Sequence, residues 1–186
     1  MGLAKADQGA ARIFGIAPGD NDSGTLLRRR IGFVPEDKEL YPYMTVEEII
    51  RFSRPFFPHW RDDLERRYLK TFDLPPKKKI PDLSKGMRSK LMLLLAIARG
   101  SELLILDEPT AALDARAEYE VFLRFSELVA GRMAVIISHR FSTVRMADRI
   151  IVLQQGQVIE DGSHAELLAR RGLYAELFSL QAEGYR

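Results

Sequence analysis

Leu103-Leu-Ile-Leu-Asp-Glu-Pro-Thr110 decides the reading of this chain: four apolar residues run straight into two adjacent carboxylates and a proline. A continuous apolar run is the pattern of a strand covered on both faces in a parallel sheet. In open α/β sheets ligands collect at the carboxyl ends of the strands, so Asp107 and Glu108 stand where chemistry is expected. Successive residues diverge there. One carboxylate can hold the water shell of Mg²⁺ while the next orients an attacking water.

The flanking sequence alternates helix and strand. Upstream, Met87, Leu91, Leu94, Leu95 and Ala98 follow helical spacing from Ser84 onward and predict a helix with one buried face. Downstream, a helix over Ala115 to Val129, a strand over Met133 to Ser138, a short helical stretch near Phe141 to Met146 and a strand over Arg149 to Leu153 follow in α/β order. A tight turn at Gln155-Gly156 leads into Gln157 to Glu160, and Ser163-His-Ala-Glu166 is a capping box opening the first of two C-terminal helices. Nearer the N-terminus, Ala10 to Phe14 and Ile31 to Val34 read as short strands separated by a loop and a brief basic helix. Thr45-Val-Glu-Glu48 is a second capping box, whose helix runs to about Phe52 before Pro55 and Pro58 end it. Arg61 to Phe72 reads as a further helix, and Leu74 to Pro81 as a loop, because prolines so closely spaced cannot sit inside a helix.

Composition bounds the function classes. With 186 residues, 46% apolar and 29% charged, the chain reads as one soluble domain with a buried core. The net charge is only +2, which gives no general argument for nucleic-acid binding, and Arg28-Arg29-Arg30 and Lys77-Lys78-Lys79 read as solvated surface. Without cysteine there are no disulfides, thiolate metal sites or cysteine nucleophiles, which fits a reducing compartment and makes the cytoplasm the default. No run approaches the roughly 20 apolar residues of a membrane-spanning helix. The first residues lack a secretory signal, so a membrane role would come through a partner.

Four features, the first of them this acidic pair in its longer context, resemble the ATP-binding cassette, the nucleotide-hydrolysing domain of ABC transporters. Leu106-Asp-Glu-Pro-Thr-Ala-Ala-Leu-Asp114 looks like the family's second nucleotide-binding motif running into its D-loop. Ile137-Ser-His-Arg140, at the end of the next strand, is similar to its switch-histidine motif. Leu83-Ser-Lys-Gly-Met87 occupies the place of the signature motif, with Lys85 and Met87 where Gly and Gln are usual. Glu36, after Ile31-Gly-Phe-Val-Pro35, stands where the family has its Q-loop glutamine.

The resemblance implies an α/β, P-loop NTPase-like core with a mainly parallel sheet and an inserted helical subdomain over about residues 45–98, the whole chain forming a single partial nucleotide-binding domain. It implies ATP and Mg²⁺ as ligands, with Asp107 and Glu36 on the metal and Glu108 as the general base. His139 becomes the γ-phosphate switch. Ser84, Gly86 and Asp114 would act across a dimer interface, Ser84 and Gly86 at a helix N-terminus whose unpaired amides suit a phosphate. The implied partners are a second cassette, identical or different, and a transmembrane permease subunit holding the chain at the inner membrane face. No nucleic acid is among them. His59 and His164 read as surface residues.

No Gly-x-x-x-x-Gly-Lys-Ser/Thr phosphate loop occurs in the sequence; Gly19-Asp-Asn-Asp-Ser-Gly24-Thr25 has the glycine spacing but lacks the lysine. By resemblance the chain starts just after the helix that follows that loop, so the expectation is a cassette lacking its first strands. In the fold the resemblance implies, the strand feeding that loop lies between those ending at Ser138 and containing Ile150 to Leu153. Two edges would be unpaired, each orphan backbone group costing about 1–3 kcal/mol. Residues 57–91 look like stand-alone cassettes that pair with separate permeases, whereas residues 114–186 look like cassettes fused to a membrane domain. Two functions therefore compete: an ATP-hydrolysing transporter subunit, and a non-catalytic module that lends its Ser84 and Asp114 face to a complete cassette. A chromosome-maintenance ATPase is a weaker third, since no sustained heptads occur.

Overall fold

A computed structural model describes residues 7–18, 22–36, 39–109, 129 and 131–184. It divides into two compact units, Met1–Ile137 and Ser138–Arg186. The expected helix over Ala115 to Val129 lies outside the described residues, except for Val129.

The first unit is built on a parallel sheet in the order β1-β2-β3, from β1 (Ile31–Val34), β2 (Leu103–Asp107) and β3 (Met133–Ile137). Helix α1 (Asp22–Arg30), with three arginines in its last turn, leads directly into β1. Its final residue, Arg30, clamps Glu102 through two bonds of 2.6 and 2.8 Å, which ties the starts of β1 and β2 together. The expected strand over Ala10 to Phe14 is instead a two-residue turn. Ile13 and Ile16 exchange backbone bonds around Phe14 and Gly15, whose φ values are 52° and 76°. That left-handed pair closes the chain on itself before it can extend, and both isoleucines pack on Leu27, Ile31 and Leu103.

The helical part begins at the capping box. Thr45 Oγ1 accepts from the N–H of Glu48, the Glu48 carboxylate accepts from the N–H of Thr45 at 2.8 Å, and α2 (Val46–Ser53) follows. Backbone bonds from Val46 to Lys78 and from Glu47 to Pro76 fasten the proline loop onto that helix start. Helix α3 (Asp62–Thr71) packs on α4 (Lys85–Ala98), where the N–H of Arg61 donates to Ala98 at 2.7 Å. The sequence pattern predicts one buried face for α4, but Leu91 and every residue from Leu93 to Ala98 are buried. Its second half is surrounded on all sides, by α2 and α3 on one side and by Val34, Leu104 and Leu106 of the sheet on the other. Gly32 permits that approach: a Cβ there would lie 2.9 Å from the Ala96 carbonyl and 2.7 Å from Ser101 Oγ. Strand β2 is covered as its apolar run predicts. Strand β3, an edge of this three-stranded sheet, leaves Met133, Val135 and Ile137 exposed.

In the second unit, the short helix α5 (Phe141–Val144) precedes an antiparallel hairpin of β4 (Ile150–Gln154) and β5 (Gln157–Gly162). Gln155 and Gly156 turn it with φ of 51° and 78°, the mirror-image turn whose twist suits a hairpin. The second capping box forms as predicted, with Glu166 accepting from the N–H of Ser163 at 2.8 Å at the head of α6 (His164–Arg170). Helix α7 (Leu173–Gly184) follows, and Ile150, Leu167 and Tyr174 form the centre of this core. His164 is not simply on the surface: its Nδ1 lies 2.8 Å from Tyr174 Oη and its ring packs on Phe178. Among the described residues no helix is long and apolar enough to cross a membrane.

Candidate functional site

The carboxyl end of β2 positions the acidic pair. The ladder ends with Asp107 opposite Ile137, and the next N–H, that of Glu108, still donates to the Ile137 carbonyl at 2.9 Å. At Glu108 the backbone turns left-handed, with φ of 42°, and the residue is only 7% exposed. A non-glycine residue in that region costs about 1–2 kcal/mol, and such strain collects at functional sites because the surroundings must hold it there. Asp107, still in the strand, is half-buried, and Pro109 beyond is buried. The left-handed turn therefore begins directly after Asp107, the last residue of the strand.

Glu36 joins them from the neighbouring strand. Val34 is paired with Leu106, so Glu36 lies two residues beyond the end of β1 and Asp107 one residue beyond the same register line. Adjacent strands lie about 4.8 Å apart, which puts both carboxylates at one end of the sheet. Glu36 is exposed. Among the described residues no group of three or more histidine or acidic side chains could hold a metal ion. That is not what Mg²⁺ needs: it is commonly held by one or two carboxylates together with substrate phosphates and waters. Hard oxygen donors on adjacent strand ends fit that kind of site.

Ser84 is the N-cap of α4, with its Oγ accepting from the N–H of Met87 at 3.2 Å. Arg88 braces the approach by donating to the carbonyls of Leu83 and Pro81 at 3.2 and 3.4 Å. Ser84 is exposed, Gly86 is half-buried, and the serine O–H can still donate while its oxygen caps the helix. The connection from Ala98 to Leu103 reverses the chain, so α4 runs back across the sheet. Its 14 residues span about 21 Å, longer than the five-residue strand, and carry Ser84 beyond the strand ends. Gly24 and Thr25 lie inside α1, not in a loop.

His139 belongs to the second unit and is exposed in the turn between β3 and α5. Ser138 Oγ accepts from the N–H of Arg140 at 3.1 Å, and the His139 carbonyl accepts from Gln181 Nε2 at 2.8 Å. Asp114 lies outside the described residues. The register therefore puts Asp107, Glu108 and Glu36 toward the same, carboxyl-terminal end of the sheet. Ser84 and Gly86 sit on a separate helix terminus of the same unit, and His139 is placed within the other unit.

A family model described as ABC transporter matches residues 1–111, which include β1, the helical part, Ser84 and the whole acidic pair. The chain belongs to the ABC transporter family. It is 36% identical over 167 residues to the ATP-dependent lipid A-core flippase of Cupriavidus metallidurans, an alignment covering 83% of this chain and 28% of that protein. It is 40% identical over 166 residues to the β-(1→2)glucan export ATP-binding/permease protein NdvA of Rhodopseudomonas palustris, covering 83% of this chain and 27% of that one. The chain thus spans little more than a quarter of either relative. Among solved structures, a bacterial Atm1-family ABC exporter with ATP bound superposes with a TM-score of 0.82 at 28% identity, covering 95% of this chain and 32% of the exporter. An ATP-binding subunit of an ABC transporter gives 0.81 at 26% identity, over 96% and 78% of the two chains. The family's α/β fold with parallel strands is the one described above, and its cassette implies nucleotide binding.

Two features have no signal in the sequence. The left-handed backbone at Glu108 carries no glycine or asparagine to announce it, and the bonds of Gln181 to the His139 loop span about forty positions.

Proposed function

We propose that the chain is the ATP-binding and ATP-hydrolysing part of an ABC transporter, coupling Mg-ATP hydrolysis to transmembrane transport. The observation that carries this reading is the buried, left-handed Glu108 at the end of a parallel strand, directly after Asp107. Its N–H donates to the Ile137 carbonyl at 2.9 Å, which supports a carboxylate held at the strand end that would accept a proton from an attacking water. Asp107 and Glu36 would hold Mg²⁺, which when bound neutralises charge on the phosphate oxygens. His139 would contact the γ-phosphate. Ser84, with Gly86 behind it, would offer an O–H and helix-end amides to a nucleotide held by a second cassette, with Asp114 at the same interface. A permease would hold the assembly at the membrane.

A second reading follows from the sequence itself, which contains no Gly-x-x-x-x-Gly-Lys-Ser/Thr. In it the chain lends the Ser84 face to a complete cassette without binding nucleotide. Equilibrium titration with Mg-ATP separates the two. Saturable binding by this chain, weakened at least tenfold in Asp107→Asn, supports the first. Absence of binding, with ATPase activity that appears only on mixing with a complete cassette and vanishes in Ser84→Arg, overturns it in favour of the second.

A further inference from the structure

The turn that carries His139 is held by the last helix of its own unit. Gln181, on the third turn of α7, makes two bonds across it: Nε2 donates to the carbonyl of His139 at 2.8 Å, and Oε1 accepts from the N–H of Phe141 at 3.2 Å. Phe141 is the first residue of α5, and the N-cap, Arg140, offers no side-chain acceptor to that helix start. One carboxamide therefore supplies the missing cap and ties down the preceding carbonyl at the same time. The Phe141 ring meets Tyr174 and Phe178 of α7 edge-on, with centroids 5.3 Å away in each case, so side chain and backbone are held by one helix face.

We infer that Gln181 is a positioning residue for His139, fixing the peptide plane that follows it and hence the direction in which the imidazole leaves the backbone. The inference rests on His139 acting at the γ-phosphate. Both halves of the amide are required. A glutamate can still accept from Phe141, but it replaces the donor with an anionic oxygen against the His139 carbonyl. A leucine of similar size makes neither bond.

The test is steady-state Mg-ATP turnover by the assembled transporter carrying Gln181→Glu, Gln181→Leu, His139→Ala and the double variant His139→Ala with Gln181→Leu. Hydrogen exchange at the Phe141 amide is read in parallel. Each Gln181 variant lowers kcat between about tenfold and a hundredfold with KM within twofold, because a displaced group loses rate and not substrate binding. In the His139→Ala background Gln181→Leu adds less than a twofold loss, and exchange at Phe141 rises while that at Leu167 does not. Full additivity of the two losses, or a fall in KM-controlled binding with kcat unchanged, overturns the inference. If His139→Ala lowers turnover and Gln181→Leu does not, only the positioning role fails. If His139→Ala leaves turnover intact, the underlying reading of His139 fails.

Discussion

Gly100 and Gly131 form a matched pair that isolates the cost of packing from the cost of backbone conformation. Both have φ of 72°, but a Cβ at Gly100 would lie 2.3 Å from the His59 carbonyl oxygen, whereas one at Gly131 would meet nothing within 4 Å. Gly100 follows the C-cap of α4 and donates its N–H to Ile97 at 3.3 Å, the usual place for a left-handed glycine at a helix end. Alanine in that region costs about 1–2 kcal/mol, offset by about 0.4–1 kcal/mol from stiffening the unfolded chain. Gly131→Ala should therefore lower stability by about 1 kcal/mol. At Gly100 the three atoms met, the carbonyl oxygen, carbonyl carbon and Cβ of His59, cannot rotate away, which adds about 1–3 kcal/mol of overpacking. The expected loss for Gly100→Ala is about 2–4 kcal/mol, or roughly 5–15 °C in Tm against about 2–4 °C for Gly131→Ala. Urea unfolding followed by circular dichroism, with unchanged m-value, measures both. Equal losses at the two positions would show that the His59 contact contributes nothing and would refute the reasoning.

Glu65, only 8% exposed, accepts from Trp60 Nε1 at 2.6 Å and from Arg54 Nη2 at 2.8 Å on one oxygen. Glu65→Ala leaves the indole N–H without its partner while half-exposed Arg54 rehydrates, so it should cost about 2–3 kcal/mol in urea unfolding, and Glu65→Gln, which keeps an acceptor, less than half of that. Acid stability follows from carboxylates held down in the folded state. Hydrogen bonding to Arg61 pulls Asp63 from its ordinary 3.8 to about 2. Arg149 lowers Asp161, Arg30 lowers Glu102, and the cap amides of Thr45 and Ser163 lower Glu48 and Glu166. A depressed folded value stabilises above the unfolded one and is lost as pH falls through the folded one. The urea midpoint should therefore be flat above pH 5 and fall between about pH 4.5 and 2, and Arg61→Met should flatten part of the fall below 3.8.

Local chemistry made much of the fold legible. Two capping boxes, at Thr45 and Ser163, gave helix starts to the residue because the reciprocal bonds involve neighbours three positions apart. The run from Leu103 gave a buried parallel strand whose carboxyl end carries the acidic pair. What escaped depends on distant partners. The second half of α4 is buried on every side because elements from both flanks of the sequence close over it, which a helical period cannot announce. Strand β3 reads as apolar as β2, yet its neighbours leave Met133, Val135 and Ile137 exposed. At Phe14-Gly15 a single left-handed turn outweighed the β-propensity of the residues around it. His164, spaced as a plain surface cap residue, packs on an aromatic helix face ten to fourteen positions away.

The role of Glu108 as the base is tested most directly by single-turnover hydrolysis of Mg-ATP in the assembled transporter carrying Glu108→Gln. The amide preserves the shape and the buried position but cannot take the proton from water. Nucleotide affinity should stay within threefold of the unaltered protein while the rate of phosphate release falls by about 10²-fold or more. Hydrolysis at the unaltered rate, with nucleotide bound normally, would contradict the assignment of the strand-end carboxylate to catalysis.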